Sequence, residues 1–415
     1  MTRPSDTAGR MMERLDLLAG FSDEPDGLSR LYLSPAHAHA AAQVLAWMRE
    51  AGMSARLDAV GNVIGRYEGR DETAPALIIG SHIDTVRNSG RYDGPLGVLV
   101  GIAAVEELAA MGIRPASAIE VVAFGDEEGV RFPTTLSGSR ALAGAFDPAS
   151  LDMRDEDGVT LREALLRFGC DPAEIAHLAR RPEEVLGYVE VHIEQGPVLE
   201  REGLPVGVVT AIAGATRATV EVSGEAGHAG TVPMALRRDA LAAAAEMVLA
   251  VEAVGKSEPD LVATVGRIAA APGAVNVIPG RAEFTIDLRH PDDSRREAAV
   301  GEVGRRLSEI ARRRGVGADM ALIHAAPAVV CSPWLIEALA GAVTAAGLPV
   351  RRLPSGAGHD AMALAPLCPI GMLFVRCRGG VSHNPAEAIT AEDAGAALDV
   401  LLRFLLQLMD RTEQR

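Results

Sequence analysis

The chain has 415 residues, 48% of them hydrophobic, which excludes a disordered polypeptide and exceeds the usual size of one hydrophobic core, so two domains are expected. A formal net charge of −16 argues against a nucleic-acid partner, which needs clustered Lys and Arg. The four cysteines, Cys170, Cys331, Cys368 and Cys377, form no CxxC pair, so free thiols in a reduced, cytoplasmic protein are expected. The N-terminal MTRPSDTAGRMMERLDLLAG lacks the apolar core of a signal peptide, and no run reaches the roughly 20 apolar residues that span a bilayer, so no membrane partner is expected.

In chain order, APALIIG, closed by Gly80, and AIEVVAFG (118–125) are short and nearly continuously apolar, as strands buried on both faces are. Between them, PLGVLVGIAAVEELAAMG has apolar residues at helical spacing and stops at Gly112, a C-terminal cap. GYVEVHIEQG (187–196) repeats the strand design. From about residue 212 the pattern changes, because RATVEVSG and AEFTIDLRH alternate apolar with polar residues like strands with one wet face. A strand at 216–223, an Ala-rich helix at 235–254, strands at 261–269 and 281–289, a helix at 292–314 and a strand at 318–324 give the order βαββαβ, a ferredoxin-like split βαβ unit. IGMLFVRC (370–377) is again a nearly continuous apolar run of the buried-strand kind. The fold class is therefore α/β: a main domain with a largely parallel central sheet flanked by helices, formed by residues 1–211 and 329–415, and an inserted α+β domain at 212–328.

Polar residues cluster where these strands end. His82 and Asp84 stand two apart in GSHIDTVRNSGRYDG, with Asp93 beyond a Gly-containing turn; Glu127 and Glu128 follow AIEVVAF; His192 and Glu194 lie in VEVHIEQG, and His383 in GGVSHNPAE. The carboxyl ends of parallel strands face one crevice, so residues distant in sequence converge there. Taken singly, each reads as well as an ordinary loop polar. Together, imidazoles and carboxylates without thiolates suit zinc, manganese or cobalt, and three histidines disfavour magnesium. Within FGDEEGVRF, Asp126 has no assignable role and reads as a solvated or locally hydrogen-bonded carboxylate.

The ordered set GSHIDTVRNSGRYDG, FGDEEGVRF, VEVHIEQGPVLE, GEAGHAGTVPM, SGAGHDA and GGVSHNPAE resembles the amidase branch of the dinuclear metallopeptidase superfamily, which contains allantoate amidohydrolases, N-carbamoyl-L-amino-acid hydrolases and β-ureidopropionases. The resemblance runs over nearly the whole chain, and HIEQG and GHAGTVPM separate this branch from aminoacylases and dipeptidases. It implies two divalent metal ions, zinc or manganese with cobalt as a further candidate, held by His82, Asp93, Glu128, His192 and His383. Asp93 would bridge; His82 and His192 would bind one ion each or share one shell, with Glu128 and His383 completing the other. Asp84 would hydrogen-bond the back of His82 and fix its tautomer. Glu127 would be the general base, moving a proton from the attacking water to the leaving nitrogen.

The same resemblance implies that a histidine from the small domain of the partner subunit stabilises the oxyanion, at the position of His228, and that Asn276 and Arg289 bind a substrate carboxylate, with Gln195 and His359 as further substrate contacts. By itself His228 reads as a surface residue, and Arg289 as an ion-pair partner of Asp287 or Asp292. The implied partners are a small ureido substrate bearing a carboxylate and a second copy of the chain, through the inserted lid and dimerisation domain. A ureido carbonyl is a poor electrophile and water a poor nucleophile; two ions roughly 3.5–4 Å apart address both. YLSPA, AIAGATRATVEVSG and GHAGTVPM look most like allantoate amidohydrolases, which convert allantoate and water to ureidoglycine, ammonia and carbon dioxide. N-carbamoyl-L-amino-acid hydrolase or β-ureidopropionase is the alternative. HIEQG with Asn276 and Arg289 disfavours a peptidase, and the full complement of ligands and base disfavours a non-catalytic binding protein.

Overall fold

The computed structural model describes residues 4–413. Its backbone divides into two units, Met1–Thr210 with Cys331–Leu353 and Gly358–Arg415, and Ala211–Val330 with Pro354–Ala357. The first unit opens with strands β1 (Ser54–Leu57), β2 (Val63–Tyr67), β3 (Ala76–His82), β4 (Ile119–Phe124) and β5 (Val185–Ile193), and β6 (Val206–Ile212) carries the chain out of it. β3 does not stop at Gly80: Ser81 and His82 continue the ladder opposite Ala123 and Phe124 of β4, so the imidazole of His82 is held by regular pairing.

In the second unit the chain forms β7 (Gly214–Ser223), β8 (Gly227–His228), β9 (Val262–Thr264), β10 (Ile268–Ala271), β11 (Val277–Ile278), β12 (Arg281–His290), β13 (Gly317–Ala326) and β14 (Val329–Val330). The main sheet has the order β10-β12-β7-β13, with β9 also on β12, and all pairings are antiparallel. Alternate residues of β7 and β12 are buried, as one wet face demands, and Val220, Val222, Phe284 and Leu288 share a core with Met247 and Leu307 of the helices Ala240–Gly255 and Asp293–Arg314. The first of these helices starts at Ala240 and not at 235, because the Asp239 side chain accepts from Ala242 N at 3.0 Å and caps it there. The expected strand at 261–269 is broken into β9 and β10. Between them three residues, Val265, Gly266 and Arg267, lie opposite two of β12, a one-residue bulge, and there the Thr285 hydroxyl accepts from Arg267 N at 3.2 Å.

After the helix Pro333–Ala345, β15 (Arg352–Ser355) and β16 (Ile370–Val375) complete the strands. The sheet of the first unit runs β1-β2-β4-β3-β5-β16-β6, and the central four, β4, β3, β5 and β16, are parallel. β3, β4 and β16 are buried throughout, which accounts for their unbroken apolar sequences. The helices Pro95–Ala110, Pro333–Ala345 and Ala391–Glu413 flank this sheet and share one core with Ile79, Val121, Val191 and Leu373. Among the described residues, no helix is long and apolar enough to cross a membrane. Four parallel strands therefore end along one edge: β3 at His82, β4 just before Asp126, β5 just after His192, and β16 before the segment that carries His383.

Candidate metal centre

The centre is built on Asp93, which is 2% exposed and sits one residue before Gly94, the N-cap of the helix Pro95–Ala110. Gly94 has φ 85°, and a Cβ there would lie 2.6 Å from the ring of His82, so only glycine allows both the turn and the close imidazole. Asp93 Oδ1 faces His192 Nε2 at 3.1 Å and His82 Nε2 at 3.6 Å. Asp93 Oδ2 faces His383 Nε2 at 3.2 Å, and that nitrogen is 3.6 Å from Glu128 Oε1. Donor atoms thus gather in four groups: His82–Asp93–His192 and Asp93–Glu128–His383 share one carboxylate, Glu127 joins His82 and Glu128 in a third, and Glu190 and His359 join His192 in a fourth.

The hydrogen bonds on the far side of the rings test whether a metal fits. His82 Nδ1 donates to the main-chain oxygen of Asp84 at 2.9 Å, and His192 Nδ1 donates to that of Ile193, also at 2.9 Å. With Nδ1 carrying the hydrogen, a neutral ring presents the lone pair of Nε2 to Asp93 Oδ1, acceptor against acceptor, unless a cation lies between. Glu128 Oε1 is likewise buried without a hydrogen-bond partner. The donor set is nitrogen and oxygen only, so a borderline divalent ion fits it.

The charged groups of the centre act strongly on one another. Burial lowers the His82 imidazole, but Asp93, Glu127, Asp84 and Glu128 outweigh it and hold the ring well above its ordinary range. Burial raises Asp93, but His192, His383 and His82 pull its carboxyl well below the usual value. Burial lifts Glu127 well above its usual range and Glu128 to about 7, against the opposing pull of His82. His383 is raised to about 8, chiefly by Asp93. A site this rich in paired opposite charges and displaced protons is one that a dication can organise.

Several expected contacts are rearranged. The carboxylate of Asp84 does not hold His82, from whose Nδ1 it lies 3.8 Å; its main-chain oxygen does that, because the chain turns after β3. The carboxylate instead accepts from two consecutive main-chain N–H groups, Glu127 N and Glu128 N, at 3.2 Å each. Asp126 is fully buried and takes a hydrogen bond from the Ser137 hydroxyl, so of its two expected readings the locally hydrogen-bonded carboxylate holds and the solvated one does not. Gln195 spends its amide nitrogen on Asp93 Oδ2 at 2.8 Å and Ser382 Oγ at 3.2 Å. His359 is buried with its ring centroid 4.6 Å from that of His192, and burial together with His192 holds it well below its ordinary value, a neutral imidazole packed on a ligand ring. Asp126, Gln195 and His383 have φ of 68°, 56° and 53°, a left-handed conformation that non-glycine residues adopt at a cost and that concentrates at functional sites.

The second unit holds its own group. His228 pairs with Val277 across β8 and β11, and Ala229 N donates to Asn276 O at 2.9 Å, so His228 and Asn276 are neighbours. Arg289 forms a two-pronged pair with Asp287, Nε to Oδ1 at 2.7 Å and a terminal nitrogen to Oδ2 at 3.0 Å, and donates to Gly356 O at 2.6 Å. Arg217 reaches the same carboxylate at 3.0 Å, leaving this trio one net positive charge. Asp292 is not a partner of Arg289; it caps the helix Asp293–Arg314. Sequence reasoning missed Arg217, and in SHNPAE it read His383 while passing over Ser382 and Glu387, which stand beside it.

A largely parallel sheet whose strand ends gather imidazoles and carboxylates around one shared aspartate defines an α/β metallohydrolase. The model of Peptidase family M20/M25/M40 matches residues 78–407, and the chain belongs to this family and, within it, to the hydantoinase/carbamoylase amidases. It is 43% identical over 400 residues to an N-carbamoyl-L-amino acid amidohydrolase of Geobacillus stearothermophilus, covering 96% of this chain and 98% of the relative. It is also 43% identical over 428 residues to an allantoate deiminase of Arabidopsis thaliana, covering 94% of this chain and 81% of the relative. Among solved structures, an amidase of the hydantoinase/carbamoylase family from Burkholderia multivorans superposes with a TM-score of 0.91 at 36% identity, over 97% of this chain and 98% of that one.

Proposed function

We propose that this chain is a divalent-metal-dependent amidohydrolase that cleaves a ureido or carbamoyl C–N bond, with allantoate as the leading substrate. The observation that carries the reading is the pair of ligand groups sharing Asp93, with Glu127 beside them. His82, Asp93 and His192 would hold one ion and Asp93, Glu128 and His383 a second, zinc or manganese with cobalt as a further candidate. The metal, when bound, supplies an acidified water and polarises the carbonyl. Glu127 Oε2 lies 4.0 Å from His82 Nε2, and a carboxyl that burial raises while His82 opposes it is suited to take a proton from the attacking water and deliver it to the leaving nitrogen.

In the same reading a second copy of the chain supplies the His228 that stabilises the oxyanion, Asn276 and Arg289 take the substrate carboxylate, and Gln195 and His359 contact the substrate. The planar fork of Arg289 suits that task, since exchanging Asp287 for a second carboxylate preserves its geometry. A homodimer is supported by β13, an edge strand with Leu322 and Ile323 exposed, since an uncovered apolar edge invites pairing. N-carbamoyl-L-amino acids are the second reading, favoured by the 98% coverage of the Geobacillus relative. Ammonia release by the zinc- or manganese-loaded protein, measured on allantoate beside a panel of N-carbamoyl-L-amino acids, separates them. Faster turnover of allantoate supports the first reading, preference for a carbamoyl amino acid selects the second, and turnover of neither refutes both.

A further inference from the structure

Glu387 stands four residues beyond His383, is 3% exposed, and belongs to none of the ligand groups. Its Oε1 accepts from the main-chain N–H of Tyr92 at 2.8 Å and of Asp93 at 3.1 Å. Its Oε2 lies 3.1 Å from Ser382 Oγ, and Ser382 Oγ donates to Asp93 Oδ2 at 2.6 Å. Asp93 is thus held at both ends, its main-chain N–H by Glu387 and its carboxylate by Ser382, and a circuit of contacts closes where Ser382, whose one hydroxyl hydrogen goes to Asp93, packs against Glu387 Oε2. Gly90 makes room for it, since a Cβ there would lie 2.1 Å from the carboxyl carbon of Glu387. Glu387 forms no ion pair among the described residues, and a buried carboxylate beside another carboxylate is a net cost to folding.

We propose that Glu387, acting through the Tyr92–Asp93 main chain and Ser382, is a positioning residue that fixes the Asp93 carboxylate between its two sets of imidazoles and so sets how tightly metal is held. The circuit also ties the segment bearing His383 to the turn bearing Asp93, so one carboxylate registers two ligands from distant parts of the chain. The proposal rests on the reading of Asp93 and His383 as ligands. Partners of this kind typically alter metal affinity or activity by about 10–100-fold.

The test is competition for zinc between a chromophoric chelator and the full-length protein, with folding checked by circular dichroism. Glu387→Ala should hold zinc about 10–100-fold more weakly and lose kcat with KM little changed. Glu387→Gln keeps the accepting oxygen and should restore retention to near the wild-type level, a rescue that a merely structural role would not require. Should Glu387→Ala fail to fold, Gly90→Ala, which displaces Glu387 with every polar group intact, and Ser382→Ala, which opens the circuit, give the same readout; both should weaken retention. His383→Ala is the control for the underlying reading. If it releases zinc while the folded Glu387, Gly90 and Ser382 variants retain it as the wild type does, the positioning role is overturned; if His383→Ala also retains zinc, the ligand assignment itself fails.

Discussion

Glu127 and Glu128 are adjacent, similarly buried and gripped by the same Asp84 carboxylate, yet the account gives them different tasks, so exchanging each for glutamine tests it sharply. Glu127→Gln is isosteric, and its main chain stays pinned by Asp84 at the N–H and by the Thr135 hydroxyl at the carbonyl, so the amide should occupy the carboxylate's place. What is lost is the proton carrier. General-base catalysis contributes about 10²–10⁴-fold, or about 3–5 kcal/mol of barrier, and kcat should fall by that factor while metal content stays at the wild-type level. Glu128→Gln instead replaces the buried, unpartnered Oε1 that faces His383, and should lower metal occupancy. The assay pairs kcat from ammonia release with elemental analysis of the same samples. A Glu127→Gln enzyme within a few-fold of wild type, or one that loses metal as Glu128→Gln does, would refute the division of labour.

Three other outcomes are expected. Arg289→Ala removes a charged hydrogen-bonding fork worth about 1.5–3 kcal/mol, so KM for a carboxylate substrate should rise by about 10–150-fold with kcat less affected; an unchanged KM would leave Arg289 as the partner of Asp287 alone. Chelation should abolish turnover and lower the melting temperature, because ligand at 100 times its Kd stabilises the fold by about 2.7 kcal/mol, and zinc or manganese should restore both; a melting curve indifferent to chelator would count against the centre. His37, fully buried, is lowered from 6.5 to about 3 by burial first and by Arg30 and Arg131 next. The unfolded chain therefore binds this proton at a higher pH than the folded one, and stability falls as pH drops from 6.5 towards 3 by up to about 1.4 kcal/mol per unit. Urea midpoints at pH 7 and 5 should diverge more in the wild type than in His37→Gln, and equal pH slopes would contradict the assignment.

The parallel sheet was legible because its strands are buried on both faces and therefore apolar without interruption, as in β3, β4 and β16. His82, Glu127, Glu128 and His192 could be grouped from their places at strand ends, where parallel topology brings them to one edge. Asp93 and His383 lie in turns; their place near strand ends put them in the same polar cluster, but their roles as bridging and terminal ligands came only from the motif resemblance. How Asp84 is used was not legible: whether its carboxylate or its carbonyl meets an imidazole depends on the path of two residues of backbone, which composition does not encode. Glu387 was hidden for a related reason. Its partners are main-chain N–H groups nearly 300 residues away, and main-chain groups leave no signature in residue type. The break between β9 and β10 is a one-residue bulge around Gly266, which an apolar run alone does not distinguish from a continuous strand.

The most direct measurement of the central claim is ammonia production from allantoate by the metal-loaded protein, run beside the chelated protein and a dipeptide panel. Chelator-sensitive ammonia release from allantoate, without dipeptide cleavage, is the predicted result. Dipeptide hydrolysis with allantoate and carbamoyl amino acids untouched, or ammonia release that survives complete removal of metal, would contradict the account.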